Sequence, residues 1–281
     1  MIILGATPIG NLGDASGRLR EALAAATVIA AEDTRTTKQL LRALGVETQA
    51  QFVALHEHNE SAAAPVLVER AREEEVLVLT DAGMPTVSDP GFRLVQAAVA
   101  AGVGVTCLPG PSAVLTALAL SGLPTDRFAF DGFLPRKAGE RDRFLTDVAR
   151  EERTLVLFEA PHRLIESLES FERVMPERRL AVCRELTKRY EEVRRGTAGE
   201  LLPWARDGVR GEIVVVVEGA RPALADLDAA IAQVLLLRQG GMRLKEAAAE
   251  VAEATGHARN ALYQAALEHP SRASSHGGAG S

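Results

Sequence analysis

Two carboxylates, Asp81 and Asp89, lie in the run Leu79-Thr80-Asp81-Ala82-Gly83-Met84-Pro85-Thr86-Val87-Ser88-Asp89-Pro90-Gly91. The run follows a stretch, Glu75 to Leu79, patterned as a buried strand, and leads into a helix that can start near Gly91-Phe92. Glycine and proline make the connection a rigid turn. Its carboxylates therefore stand at the carboxyl end of a strand, where the loops of an open α/β sheet diverge and leave a crevice for ligands. A second junction of this kind follows: Val103 to Leu108, then Pro109-Gly110-Pro111-Ser112-Ala113, then an apolar helix. Asp81 and Ser112 are placed alike in the two turns. Either turn alone is an ordinary α/β connection. Together, with small residues that let backbone amides approach one ligand, they read as a binding site.

Other strand exits carry further chemistry. Gly5-Ala6-Thr7-Pro8-Ile9-Gly10-Asn11-Leu12-Gly13-Asp14 is glycine-rich, yet it is neither a P-loop nor a clean GxGxxG, so a nucleotide-phosphate cradle is disfavoured. Pro8 stiffens that turn into a fixed edge. In Glu32-Asp33-Thr34-Arg35, Asp33 or Thr34 can cap the next helix. Glu32 and Arg35 are harder to explain as capping residues; both suit a polar substrate, and Arg35 a phosphate. Strand alternation puts His56 and His58 on one face, but no third ligand follows, so hydrogen bonding or proton handling is favoured over metal binding. Glu159 and Arg163 stand near another strand tip. Arg184, Lys188, Arg189, Arg194 and Arg195, with Tyr190 among them, read either as an RNA-binding surface or as a solvated loop. Arg136, Lys137, Arg141 and Arg143 form a second basic cluster, diluted by Glu140 and Asp142.

These groups need a scaffold, and 281 residues suffice for two domains or for one α/β body with an appendage. The apolar fraction, 47%, is ample for a core, while aromatics at 4% leave the packing to Leu, Val and Ala. A net charge of -6 argues against a generally basic nucleic-acid coat, so any RNA contact must come from local clusters. Cys107 and Cys183 lack metal or redox spacing and read as reduced thiols of a cytosolic protein, Cys107 within a buried strand. The start, Met1 to Gly5, lacks the basic lead and long apolar stretch of a signal peptide. Leu94 to Thr125 holds no charge, but Gly102, Gly104 and Pro109-Gly110-Pro111 break it, so a membrane span is not expected. The expectation is a soluble, cytoplasmic protein.

Short apolar runs alternate with helical patterns through the first half. Strands are expected at Ile2–Leu4, Thr27–Ala30, Gln51–Leu55, Glu75–Leu79 and Val103–Leu108, and helices at Arg18–Ala26, Arg35–Leu44, Ala62–Arg72, Phe92–Ala101 and Ser112–Leu120. That alternation predicts a mostly parallel sheet covered on both faces. After a hinge at Ser121 to Thr125, strands restart at Phe128–Asp131, Thr154–Phe158, Leu180–Arg184, Glu192–Gly196 and Ile213–Glu218. A cleft is expected between the halves. The domain reading is 1–121, 122–221, a helix-turn-helix-like unit over 222–269 and a disordered tail over 270–281.

Taken together, the turns resemble the ribosomal small-subunit RNA methyltransferase I family of the tetrapyrrole methylase superfamily. The carrying segments are Ala6 to Leu12, Ala31 to Thr36, His56 to Glu60, Asp81 to Gly91, Pro109 to Pro111, Gly122 to Phe128 and Arg184 to Lys188. Met84 departs from the Thr usual in the family. The resemblance implies an α/β, two-domain tetrapyrrole-methylase-like (class III methyltransferase) fold with a small C-terminal helical unit. It implies a homodimeric, S-adenosyl-L-methionine-dependent enzyme that methylates a ribose 2′-hydroxyl of a decoding-centre cytidine in 16S rRNA, free or within the small ribosomal subunit. Carried over by position, the cofactor contacts are Pro8, Thr80, Asp81, Met84, Ser112, Ala113, Phe158 and Leu186. Asp33, Arg35 and Glu159 are candidate catalytic residues from their strand-end positions. Glu32, His56, His58, Arg184, Lys188, Arg189, Arg194 and Arg195 are candidates for substrate binding. No metal is required. The rivals are a superfamily sibling acting on a tetrapyrrole or a protein side chain, and a non-catalytic RNA-binding assembly factor.

Overall fold

Strands β1 (Ile2–Gly5), β2 (Val28–Ala31), β3 (Gln51–Ala54), β4 (Val76–Leu79) and β5 (Val105–Leu108) form one parallel sheet. Its order is β3-β2-β4-β1-β5. Strands β2 and β4 are apolar and buried at every position, as interior strands of a sheet covered on both faces must be. The computed structural model describes residues 1–220 and 226–268; the expected tail over 270–281 lies outside the described residues. Ile2, Val28, Ala30, Val76 and Val78 pack on the side of α3 (Glu60–Arg70) and α4 (Phe92–Ala100). Ile3, Ile29, Ala31, Leu77 and Leu79 pack on the side of α1 (Gly17–Ala25) and α2 (Thr34–Leu44). Cys107 is half-buried rather than enclosed, because β5 is an edge strand.

The positions of the helices create the crevice. Strands β1 and β4 are neighbours, yet the helix following β1 lies on one face and the helix following β4 on the other. The chain therefore diverges at their carboxyl ends, which is a topological switch point.

A second sheet contains β6 (Phe128–Phe133), β7 (Thr154–Glu159), β8 (Leu180–Arg184), β9 (Glu192–Gly196) and β10 (Ile213–Val217) in the order β6-β7-β10-β8-β9. Only β6 and β7 run parallel. One face is covered by α6 (Ala138–Asp147), α7 (Leu164–Val174) and α8 (Ala198–Arg206). The other face is covered by α5 (Ala113–Ser121), which leaves the last strand of the first sheet. Val114, Ala117 and Leu118 of α5 pack there against Val156, Cys183, Val214 and Val216, and Ile9 from the first turn joins them. Fully burying a Val, Leu or Ile stabilises by about 1.5–3 kcal/mol, so this shared core fastens the two sheets together. Met1–Gly219 is accordingly one compact unit.

The described residues beyond Gly219 form a separate unit. Helices α9 (Leu227–Gln239), α10 (Leu244–Thr255) and α11 (Arg259–Glu268) pack around Ile231, Val234, Ala248, Val251 and Leu262. They break at glycines: Gly240 follows α9, and Gly256 ends α10 in the left-handed region at φ 74°. No helix among the described residues is long and apolar enough to cross a membrane.

Candidate functional site

The parallel register aligns Gly5 with Leu79 on one side and Leu108 on the other, so three strand exits lie side by side. The first two exits are tied together. Thr7 N–H donates to the Gly83 carbonyl at 2.9 Å, Gly83 N–H donates back at 3.1 Å, and Thr7 Oγ1 donates to the Thr80 carbonyl at 3.2 Å. Gly83 has φ 82°, and a Cβ there would meet Ile9 Cγ2 at 3.4 Å, so this corner needs glycine. Thr86 and Ser88 also have positive φ, as do Glu185 and Thr187 in the turn after β8. Such backbone strain in non-glycine residues persists only where surrounding structure enforces it.

A cavity of about 340 Å³ opens above these turns. That is the size of a small-molecule site. Ile9, Gly83, Met84, Ser88, Asp89, Ser112 and Ala113 line it from the first sheet's exits, and Phe158, Glu159, Gly211 and Val214 from the second sheet. Of the expected cofactor residues, Met84, Ser112, Ala113 and Phe158 thus meet at one wall-to-wall site. Pro8, Thr80, Asp81 and Leu186 flank it: Pro8 precedes Ile9, Thr80 and Asp81 precede Ala82, and Leu186 packs with Ile9 and Val214. Thr80 is 3% exposed and its Oγ1 has no hydrogen-bond partner. Ser112 caps α5, accepting from Leu115 N–H at 3.4 Å.

The candidate acids differ sharply in environment. Asp33 caps α2, accepting from Arg35 N–H at 2.7 Å, and its carboxylate also holds the Arg35 guanidinium. Those bonds hold Asp33 down at about 2. Glu159 is buried at the cavity wall, with Oε1 accepting from Ala160 N–H and Arg163 Nε, both at 2.7 Å, and Oε2 from Ser167 Oγ. Both oxygens are occupied. Glu32 accepts from Asp81 N–H at 3.2 Å, while the Asp81 carboxylate turns to Asp33 N–H and Thr36 at the start of α2. Burial raises both Glu32 and Asp81. Asp89 lines the cavity without an ion pair among the described residues; burial, then repulsion from Glu32 and Asp81, pushes it up to about 7. His56 lies close enough to Glu32 to favour its charged form, and His58 is exposed. Among the described residues no three His, Cys, Asp or Glu side chains gather as a metal site.

The basic segment is largely occupied by internal contacts. Arg184 Nε and Arg194 Nε both pair with Glu192, at 2.6 and 2.5 Å. Lys188 Nζ bonds Glu185 and Glu212, each at 2.9 Å, while its stem closes over Gly10, where a Cβ would lie 2.4 Å from Lys188 Cγ. Arg195 caps the end of α5, donating to the carbonyls of Ser121, at 2.9 Å, and Leu120. Arg189, stacked by Tyr190, is exposed and has no acidic partner among the described residues.

Two residues have roles that the sequence reading did not assign. Asp89 stood in the informative run, but nothing local distinguishes it from Asp81. Glu60 closes the His56–Glu60 segment and is 5% exposed. Its Oε1 accepts from the backbone N–H groups of Gly91, at 3.0 Å, Arg93, at 2.7 Å, and Leu94, at 3.2 Å. It serves as the cap of α4, whose own N-cap, Gly91, has no side chain to offer.

Comparison with known proteins places this geometry among relatives. Residues 1–202 match the family model of tetrapyrrole (corrin/porphyrin) methylases, and residues 225–270 match that of the RsmI C-terminal HTH domain. The chain is 49% identical over 270 residues to ribosomal RNA small subunit methyltransferase I of Mycobacterium bovis, covering 95% of this chain and 94% of that protein. It is 44% identical over 267 residues to the protein of the same name from Escherichia coli O157:H7, with 93% of each covered. Among solved structures it resembles a diphthine synthase, at TM-score 0.59 and 18% identity over 77% of this chain and 89% of that one. It also resembles uroporphyrin-III C-methyl transferase from Thermus thermophilus complexed with S-adenyl homocysteine, at TM-score 0.52 and 20% identity over 77% and 96%. At such identities the likeness concerns the fold.

Proposed function

The chain belongs to the ribosomal RNA small subunit methyltransferase I family, within the tetrapyrrole methylases, and from that premise we propose that it methylates the ribose 2′-hydroxyl of a decoding-centre cytidine in 16S rRNA. The observation that carries this reading is the nearly full-length likeness to curated relatives named as small-subunit rRNA methyltransferases. S-adenosylmethionine is the donor. The cavity suits it: apolar walls, the hydroxyls of Ser88 and Ser112 and the carboxylate of Asp89 match a ligand that is part apolar, part polar and positively charged. Pro8, Thr80, Asp81, Met84, Ser112 and Ala113 would hold it from the first sheet, and Phe158 and Leu186 from the second.

When bound, the cofactor supplies a methyl group already activated on a positively charged sulfur. The protein's task is then chiefly to position the acceptor. A ribose hydroxyl is a poor nucleophile at neutral pH, and a base with pKa near the working pH assists it best. Asp89, on the cavity wall and near 7, fits that role. Asp33, held near 2 by Arg35, is too weak a base, and Arg35 is engaged by it. Glu159 has no free oxygen, so it positions Arg163 and the start of α7 rather than taking a proton. Glu32 orients the Asp81 turn, with His56 beside it. On the RNA side, Arg189 with Tyr190 is the part of the basic segment free for contact.

The reading includes a homodimer working in the cytoplasm, which light scattering on the purified protein checks as to assembly. The decisive experiment supplies labelled cofactor with small-subunit particles and with free 16S rRNA, and maps the product. Transfer to a decoding-centre cytidine 2′-oxygen supports the proposal. Methylation of a base, or of neither substrate, overturns it.

A further inference from the structure

Beside the cofactor cavity lies a second hollow of about 600 Å³, and Phe133 and Ala160 line both. Its other walls come from Leu134 to Arg136, just beyond β6, and from His162 and Arg163 in the turn after β7. Phe133 is a large aromatic side chain left 59% exposed, set edge-on to Phe158 with ring centres 5.4 Å apart. Arg136 and His162 are exposed, and among the described residues neither has an acidic partner. Arg163 differs: Glu159 and the Leu134 carbonyl fix it in place and take up its charge, making a rigid wall.

This combination contrasts with the segment over 184–195, whose cations are mostly taken up by Glu185, Glu192 and Glu212. Two free donors and an open aromatic face, continuous with the reaction cavity, suit a strand whose backbone is anionic and whose bases can stack. Single-stranded RNA is recognised in this way, by stacking on aromatic side chains along a positively charged groove. An acidic peptide would use the two donors and leave the aromatic face idle. We propose that this hollow is the acceptor-strand subsite: a base flanking the target nucleotide stacks on Phe133, and an adjacent phosphate meets Arg136 and His162. The proposal rests on the RNA-methylating reading above and says where that RNA lies.

The test uses the full-length protein with Arg136→Ala/His162→Ala, Phe133→Leu and Arg136→Lys. Methylation kinetics, RNA binding across salt concentrations and cofactor affinity by calorimetry are measured for each. The double variant should raise KM for RNA about tenfold or more with kcat nearly unchanged. It should also lower the salt slope of RNA binding by about one for each phosphate contact removed. Phe133→Leu should weaken RNA binding at every salt concentration without changing the slope, and Arg136→Lys should keep the slope. Cofactor affinity should match the parent in the Arg136 and His162 variants, whose side chains line only the second hollow, and thermal melts report that all the variants fold. If the parent methylates RNA and both Phe133→Leu and the double variant keep its KM and slope, the subsite is wrong while the reaction stands. If the parent methylates neither free rRNA nor particles, the reaction reading fails, and equilibrium RNA binding still decides the subsite: weakened binding in these variants supports it and unchanged binding overturns it. Loss of affinity for assembled particles alone, with naked RNA bound normally, would mean that the hollow grips a ribosomal protein, and that also overturns the proposal.

Discussion

Asp89 illustrates how one environment acts oppositely on stability and on catalysis. Burial, with repulsion from Glu32 and Asp81, raises its carboxyl to about 7, against about 3.9 for an unstructured aspartate. The folded state therefore binds this proton more tightly than the unfolded state does. Below about pH 4 both states are protonated and the group has no effect; as pH rises towards 7 it increasingly destabilises the fold. Asp89→Asn should accordingly raise Tm more at pH 8 than at pH 4, as thermal melts at the two values will register. Activity should move the other way. With the parent, kcat/KM should climb to a plateau with an apparent pKa near 7. The Asn variant should lose that rise and at least about a hundredfold of the plateau. An undiminished, pH-dependent rate in Asp89→Asn would remove the base from the mechanism.

At the scale of elements, the strands and helices were legible because the sheet is buried on both faces. Runs such as Val28-Ile29-Ala30-Ala31 and Val76-Leu77-Val78-Leu79 have no other place to go. The crevice was legible too, since glycine and proline mark the strand exits. What sequence could not display are partnerships across the sheet. The register of β8 and β9 sets Arg184 opposite Glu192, and Glu212 reaches Lys188 from beyond α8, so a run of cations that reads as an RNA surface is mostly neutralised. Glu60 is the sharper case, a buried acid serving a helix start thirty-one residues away. Its removal by Glu60→Ala leaves three backbone N–H groups without their acceptor, and an unsatisfied buried donor costs about 1–3 kcal/mol. Denaturant melts should show a loss of at least about that size, and cofactor affinity should fall because α4 anchors the turn that carries Asp89. Glu60→Gln, which keeps an acceptor oxygen, should recover much of both. Equal damage from Ala and Gln would show that charge, not capping, is what Glu60 contributes.

Over the whole molecule, charge is divided rather than spread. The chain is acidic overall, at -6, and Glu32, Asp81 and Asp89 repel one another around the first sheet's exits. The free donors Arg136, a cation, and His162 belong to the second sheet's side. A cationic cofactor and an anionic RNA are thereby drawn to different walls of adjoining hollows. The division makes cofactor binding sensitive to protons. A cation entering the cavity favours the charged form of Asp89 and so lowers its pKa from about 7. Between pH 6 and 7, then, binding of S-adenosylmethionine should release a proton, up to about one, and by reciprocity its affinity should rise with pH across that range. Calorimetry in two buffers of unlike ionisation enthalpy measures the release directly. Asp89→Asn should abolish most of it, while Lys188→Ala, which removes a side chain held by Glu185 and Glu212 outside the cavity lining, should leave it in place. A binding enthalpy independent of buffer at pH 6.5 would mean that the cofactor's charge never meets this carboxylate, and the acidic wall would lose its assigned part in holding the methyl donor.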